Sequence, residues 1–157
     1  LAFNGFELLE SSVLRGDYVL HALVRKRQMA DLSHFHRARE QLKTDLDRFL
    51  GRFPKGTVAV WGAGHQALAV LSLTHIADRV RFVIDSAPFK QGRFTPATHI
   101  PIVAPDALLA TPVDAILVMA ASYSDEVIAI IRERYNKELP IAVLRKHGLE
   151  ELVDCCG

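Results

Sequence analysis

A glycine-rich turn is the segment whose residue types best suit ligand binding. The pattern G-x-G-x-x-A runs from Gly62 to Ala67, between an apolar strand predicted over 57–61 and a helix predicted over 65–75. Gly62 permits a sharp turn, and Gly64, which has no Cβ, lets a phosphate or ribose approach the backbone. The helix N-terminus adds free N–H groups and partial positive charge. The pattern predicts that a ligand contacts Gly62, Ala63, Gly64 and His65; a tight turn that binds nothing is the alternative.

A carboxylate follows the next strand. Asp85 comes directly after the strand predicted over 80–84, so we expect it at the same edge of the sheet as the glycine turn. A carboxylate there can accept hydrogen bonds from ribose hydroxyls, as in dinucleotide-binding folds. It can equally cap the turn that begins at Ser86. The sequence leaves both roles open, and a ribose contact would suit any nucleoside, not only NAD.

The loop predicted over 86–98 carries cations to this edge. Lys90 and Arg93 flank Gly92. A lysine can hold a phosphate as a point charge, and an arginine can hold one through its planar fork. We therefore take Lys90 and Gly92 as candidate ligand contacts, with an ordinary solvated loop as the alternative.

A second polar loop follows the strand predicted over 114–120. Ser122 and Tyr123 could donate hydrogen bonds to a phosphate, or Tyr123 could stack on a base. The alternative is a capping segment, because Ser124 can cap the helix predicted over 124–135.

Composition excludes several other classes of function. The chain has 157 residues, with 19 Lys and Arg against 18 Asp and Glu, so it has no electrostatic signature of a nucleic-acid or membrane-surface protein. No apolar run is long enough for a spanning helix, and the N-terminus does not resemble a signal peptide. The histidine spacing and the adjacent thiols Cys155 and Cys156 predict no metal site. Unpaired cysteines favour a reducing compartment, so we expect a cytoplasmic protein.

The elements that position these residues alternate between strand and helix from residue 57 onward. Such alternation predicts an α/β fold, a small Rossmann-like parallel sheet with helices on both faces. Before it we predict an N-terminal β-hairpin, whose second strand is apolar enough for burial in a larger sheet, and a linking amphipathic helix. The remaining predictions are hairpin strands at 6–10 and 18–24, the linking helix at 31–50 with an apolar stripe that includes Phe35, an edge strand at 99–103, a short helix at 105–110, a strand at 140–144 and a helical tail over 148–156.

Four segments in order resemble a known family. They are Val58–Gly64, Asp85–Gly92 (with its D-x-x-P-x-K-x-G pattern), Pro96–Ile102 (with H-I-P-I) and Ser122–Glu126. Together they resemble the C-terminal domain of SAM-dependent C-methyltransferases that act on nucleotide-linked deoxysugars. The N-terminal residues, through Lys26, resemble the last β-hairpin of a class I methyltransferase domain.

The resemblance implies a division of the chain and of the chemistry. Residues 1–30 would be a hairpin remnant of a methyltransferase-type domain, residues 31–54 a linker, and residues 55–157 a nucleotide-sugar-binding domain. S-adenosylmethionine and the catalytic residues would belong to an upstream methyltransferase domain, the expected partner, so the isolated chain should be inactive. The alternatives are a free-standing nucleotide or nucleotide-sugar module, of sensing, scaffold or acyltransferase type, and a small NAD(P)-dependent oxidoreductase.

Overall fold

The computed structural model describes residues 5–16, 19–27 and 31–152. The chain forms two compact units, residues 1–34 and residues 35–157. The functional division at residues 30 and 54 that the resemblance implies stays a prediction. The strands are β1 (Phe6–Leu14), β2 (Val19–Lys26), β3 (Val58–Trp61), β4 (Val80–Ile84), β5 (Ile102–Val103), β6 (Ala115–Val118), β7 (Ile141–Arg145) and β8 (Gly148–Leu152), and the helices are α1 (Ser33–Leu50), α2 (His65–Thr74), α3 (Ala107–Ala110) and α4 (Ser124–Arg134).

The second unit contains a six-stranded sheet in the order β5-β4-β3-β6-β7-β8. Strands β3 to β7 pair in parallel, and β8 is antiparallel to β7. The chain leaves β3 toward β4 on one side and returns to β6 on the other. This reversal of strand order opens a crevice beyond the carboxyl end of β3, the place where α/β sheets bind ligands. The α/β class predicted from the sequence is confirmed.

Apolar side chains cover both faces of the sheet. On one face, Val58 and Val60 of β3 pack in a core with residues of α1 and α2. On the other face, Ala59 and Trp61 pack in a core with residues of α3 and α4. The alternation follows from the pleat, which points successive side chains to opposite faces. All four β3 residues are buried, so the strand that leads into the glycine turn is held on every side.

Three local predictions are wrong. The predicted helical tail begins instead as strand β8, which pairs with β7 through a tight turn at Lys146 and His147; residues 153–156 lie outside the described part. Backbone pairing with an unfilled sheet edge overrides the weak helical pattern there. Ser124 does not cap α4 but is its first residue, and its hydroxyl donates to the carbonyl of Ala121. Phe35, expected in the buried stripe of α1, is 54% exposed.

The first unit holds the antiparallel hairpin of β1 and β2. Within this chain, all residues of both strands are exposed except Val24, which is half-buried, so burial of the hairpin in a larger sheet stays a prediction. A bulge between Leu8 and Glu10 shifts the register by one residue. Since cross-strand partners share a face, the pairs Leu8–Val24, Ser11–Ala22 and Val13–Leu20 lie on one, mainly apolar face. The opposite face carries the Glu7–Arg25 ion pair together with Glu10, Ser12 and His21 among apolar neighbours.

Candidate functional site

A cleft of about 500 Å³ lies at the carboxyl ends of β3, β4 and β6. Its size falls in the range of small-molecule sites. One wall is mainly polar and is formed by the start of α2 and the loop after β4. The other wall is mainly apolar and is formed by the segment after β6. The lining residues are Trp61, Gly62, Gly64, His65, Gln66, Asp85, Ser86, Lys90, Met119, Ala120, Ala121, Tyr123 and Val127.

Gly62 is required by the backbone around it. Its φ of +117° is one that side-chain-bearing residues rarely adopt, and a Cβ built on it would lie 2.5 Å from the carbonyl oxygen of Met119. The N–H of Gly62 donates to the carbonyl of Ile84, and the N–H of Met119 donates to the carbonyl of Trp61. Gly62 therefore lets the ends of three strands come together, which is a structural role.

Gly64 is not required by the fold in this way. Its φ is −88°, and a Cβ built on it would meet nothing within 4 Å. It is the N-cap of α2, where Ser or Asp would accept hydrogen bonds from the helix, yet the helix has no side-chain cap. The first backbone bond of α2 runs from the N–H of Leu68 to the carbonyl of Gly64. The helical N–H groups before Leu68 have no acceptor within the helix, and Gly64, His65 and Gln66 line the cleft, an arrangement suited to an anion or ribose.

Asp85 joins the glycine turn to the loop after β4. Its Oδ2 accepts hydrogen bonds from the N–H of Ala63 at 2.9 Å and from the Lys90 ammonium at 2.8 Å. Its Oδ1 accepts one from the N–H of Ala87 at 2.9 Å. The Gln91 side chain donates to the main-chain carbonyl of Asp85. Three protein donors therefore hold the carboxylate, so the capping role is present.

The environment of Asp85 favours its charged form. Burial by itself would raise the pKa of this carboxyl, but the hydrogen bonds from Lys90, Ala87 and Ala63 outweigh burial and hold the pKa below its ordinary value of 3.8. The side chain of Asp85 is 11% exposed and that of Lys90 is 29% exposed. Water screens this ion pair less than a surface pair, and removing Lys90 would leave a nearly buried charge with one donor fewer.

The rest of the loop after β4 builds the sheet edge. Gly92 has a φ of +75°, and its N–H donates to the carbonyl of Ile102, while the N–H of Ile102 donates to the carbonyl of Arg93. These bonds align β5 at the edge, which confirms the predicted edge strand. Gly92 does not line the cleft and shapes the loop that presents Lys90. Arg93 is exposed and also lies outside the lining.

The wall after β6 is a short 3₁₀ turn, Ala121–Tyr123, that leads into α4. Ala121 adopts a left-handed φ of 51°, which costs about 1–2 kcal/mol in a residue other than glycine. Such strain is often found at ligand sites. Tyr123 is 68% exposed and lines the cleft beside Val127, one helical turn further on. Ser122 is exposed but does not line the cleft.

The structure brings together most of the predicted site residues. Gly62, Gly64, His65, Asp85, Lys90 and Tyr123 line the cleft, whereas Ala63 is buried behind it, and Gly92 and Ser122 lie outside its lining. Seven lining residues were not predicted from the sequence: Trp61, Gln66, Ser86, Met119, Ala120, Ala121 and Val127. Gln66 and Ser86 stood within the motifs, and Val127 follows Tyr123 by four residues of a helix, so helical spacing was the signal that could have found it.

Within residues 5–16, 19–27 and 31–152, no group of three or more His, Cys, Asp or Glu side chains is arranged to hold a metal ion. The helices in that part of the chain also include none that is both long and apolar enough to cross a membrane.

Two alanine substitutions should separate the roles of the glycines. Gly62→Ala should lower the free energy of unfolding by about 2–4 kcal/mol, because its Cβ would overlap backbone atoms that cannot move aside independently. Gly64→Ala, the matched control two residues away, should change it by less than about 1 kcal/mol. Urea denaturation followed by circular dichroism measures both. Equal losses at the two positions would contradict the assigned roles.

Asp85 should make stability depend on acidic pH. Its lowered pKa means that the folded state binds fewer protons than the unfolded state, so the contribution is complete above the ordinary pKa and is lost as the pH falls through the folded-state pKa. Asp85→Asn should therefore be less stable than the wild type at pH 7, and the difference should shrink below about pH 4. The assignment would be contradicted if the difference in free energy of unfolding between the wild type and Asp85→Asn grew toward low pH.

Comparison with known proteins identifies the family. Residues 23–140 match the family model of the C-methyltransferase C-terminal domain. A search of curated proteins found no match. The family match covers well over half of the chain and includes the glycine turn, Asp85, the Lys90 loop and Tyr123, so the resemblance seen in the sequence motifs is confirmed. The chain belongs to the C-methyltransferase C-terminal domain family.

Proposed function

We propose that this chain is the substrate-binding domain of a SAM-dependent C-methyltransferase and that its cleft holds a nucleotide-linked sugar. The observation that carries the proposal is the uncapped start of α2 at Gly64, which opens into a cleft at the reversal point of the sheet. In a domain of a C-methyltransferase family, a bound substrate is the simplest reason to keep this backbone uncovered.

The two walls of the cleft match the two characters of such a ligand. The polar wall offers the N–H groups at the start of α2 and the ammonium of Lys90, which together suit a diphosphate. The other wall offers the exposed ring of Tyr123 beside Met119 and Val127, which suits stacking on a base or on the apolar face of a sugar. His65 and Gln66 lie at the boundary and can add hydrogen bonds.

The same cleft fits S-adenosylmethionine poorly. The sulfonium of this cofactor is positively charged, and the cleft presents the Lys90 ammonium and the positive end of the α2 dipole. The carboxylate of Asp85 is already paired with Lys90, so it is not free to offset a sulfonium. We therefore assign the cofactor and the catalytic residues to a separate methyltransferase domain.

The proposed contribution of this chain is binding and orientation. The cofactor supplies an electrophilic methyl group, and the acceptor is a carbanion-like carbon of the sugar. Holding the nucleotide part of the substrate in the cleft fixes where that carbon lies. The methyl transfer then proceeds between positioned groups instead of by a random bimolecular encounter. The chain by itself would bind substrate without turning it over.

The apolar face of the hairpin is the proposed contact with the methyltransferase domain. A two-stranded hairpin is marginal in water by itself, and this one exposes Leu8, Val13 and Leu20 on a single face. An exposed apolar face of this kind marks an interaction surface. The resemblance of the hairpin to the last strands of a methyltransferase domain makes that domain the proposed occupant.

Thermal melting with candidate ligands tests the binding proposal. A deoxythymidine diphosphate sugar at about ten times its Kd should stabilise the chain by about 1.4 kcal/mol, a rise in Tm of about 3–6 °C. NAD(H) and SAM at the same concentration should give smaller shifts. Gly64→Val, whose side chain would fill the cleft, should remove the shift, whereas Ala69→Val on the exposed side of α2 should keep it.

A larger shift with NAD(H) than with every sugar nucleotide would favour the oxidoreductase alternative. A larger shift with SAM would contradict the assignment of the cofactor to another domain.

Adding a charge to one or the other face of the hairpin tests the partner proposal. Leu20→Lys places a charge on the apolar face and should weaken binding of the methyltransferase domain, added as a separate protein, by at least tenfold in calorimetry. Ser12→Lys adds the same charge to the opposite face and should leave binding within about threefold of the wild type. Equal weakening by the two variants, or none by either, would contradict the assignment of the contact to the apolar face.

A further inference from the structure

We infer that Lys90 determines specificity in the cleft: by occupying the carboxylate of Asp85, it prevents that carboxylate from reading the ribose diol. The cleft should therefore bind 2′-deoxyribonucleoside and ribonucleoside diphosphates about equally well. The inference rests on the proposed function, because it concerns the nucleotide that the cleft would hold.

Recognition of a ribose by a carboxylate needs two acceptor sites. The 2′- and 3′-hydroxyls each donate a hydrogen bond to the carboxylate that ends the strand after a glycine turn. An ionised carboxylate has about four lone-pair directions. Asp85 uses three of them, for the N–H groups of Ala63 and Ala87 and for the Lys90 ammonium. The single direction that is left cannot accept from both hydroxyls.

Lys90 is the one of these three donors whose removal would free an acceptor without altering the backbone. The N–H groups of Ala63 and Ala87 belong to the glycine turn and to the loop, which both depend on them. Lys90 reaches Asp85 through its side chain alone, from within the cleft lining. Whether the carboxylate can read a ribose is therefore set by the residue at position 90.

The same geometry gives Lys90 a second role toward the ligand. An ammonium has three N–H donors, and Lys90 gives one of them to Asp85 at 2.8 Å. Its side chain remains 29% exposed, and the ammonium lies 5.8 Å from the centre of the Phe89 ring. The remaining donors suit an oxygen of the diphosphate. Asp85 thus acts as a positioning residue, which holds Lys90 and the glycine turn, rather than as a ligand contact.

Other polar groups in the lining do not replace a bidentate acceptor. Gln66 and Ser86 are exposed and line the cleft, and each can accept a hydrogen bond through one side-chain oxygen. Neither presents two oxygens in a plane, as a carboxylate does. A single hydrogen bond to one hydroxyl gives little discrimination at an exposed site, where water competes for the same groups.

Matched pairs of nucleotides test the inference. Calorimetry would compare ADP with dADP, GDP with dGDP, CDP with dCDP, and UDP with dUDP, so that the members of each pair differ only in the 2′-hydroxyl. For the wild type, we expect the Kd values within the tightest-binding pair to agree within about threefold. For Lys90→Met, we expect weaker binding of both members and a shift of about tenfold in their ratio toward the ribonucleotide, because the carboxylate is released and the phosphate contact is lost.

Lys90→Arg keeps the positive charge and the partner of Asp85, so its ratio should stay near that of the wild type. Melting curves of the variants check that they are folded; if Lys90→Met is not, the wild-type ratio decides the question alone. A wild-type preference of tenfold or more for the ribonucleotide would overturn the inference while leaving the proposed function intact. An unchanged ratio in folded Lys90→Met would overturn the assignment to Lys90. Absence of binding by every nucleoside diphosphate would overturn both the inference and the proposed function.

Discussion

The carboxylate of Asp85 connects the parts of the molecule that form the cleft. Through one oxygen it holds the N–H of Ala63 in the glycine turn and the ammonium of Lys90, and through the other it holds the start of the loop after β4. The carboxylate is nearly buried, so its charge would be costly without these donors. One side chain thus ties together the glycine turn, the loop after β4 and Lys90 at the edge of the sheet where the cleft lies.

The two glycines of the turn differ in what surrounds them. Gly62 allows the end of β3 to approach the backbone at Met119, and no side chain fits there. Gly64 leaves the start of α2 uncovered although the fold would accept a side chain at that position. A motif read only as a pattern gives both glycines the same importance. In the structure a side chain at the first would overlap the backbone of Met119, whereas the second has open space beside it, where we propose that the ligand binds.

Much of the α/β unit could be predicted from the sequence because strong local signals agreed with the tertiary structure. The buried strand before Gly62, the apolar face of α1 and the carboxylate after β4 all follow simple patterns. The direction of β8 could not be predicted, because an unfilled sheet edge, and not local propensity, decides it. The apolar face of the hairpin depends on a bulge near Leu9, which shifts the alternation of side chains between the two faces. No residue type at that position predicts the bulge.

The site was harder to predict than the fold. Spacing identifies which residues reach the edge of the sheet but not which of their atoms are already bonded. Asp85 has the position of a ribose ligand and the hydrogen bonds of a structural carboxylate, and only the contacts with Ala63, Ala87 and Lys90 distinguish the two. The most direct measurement of the central claim is the ¹⁵N–¹H spectrum of the chain during titration with a nucleotide-linked sugar. Our account predicts saturable shifts of the amides of Gly64, His65, Gln66 and Tyr123, and shifts confined to the hairpin, or none, would contradict it.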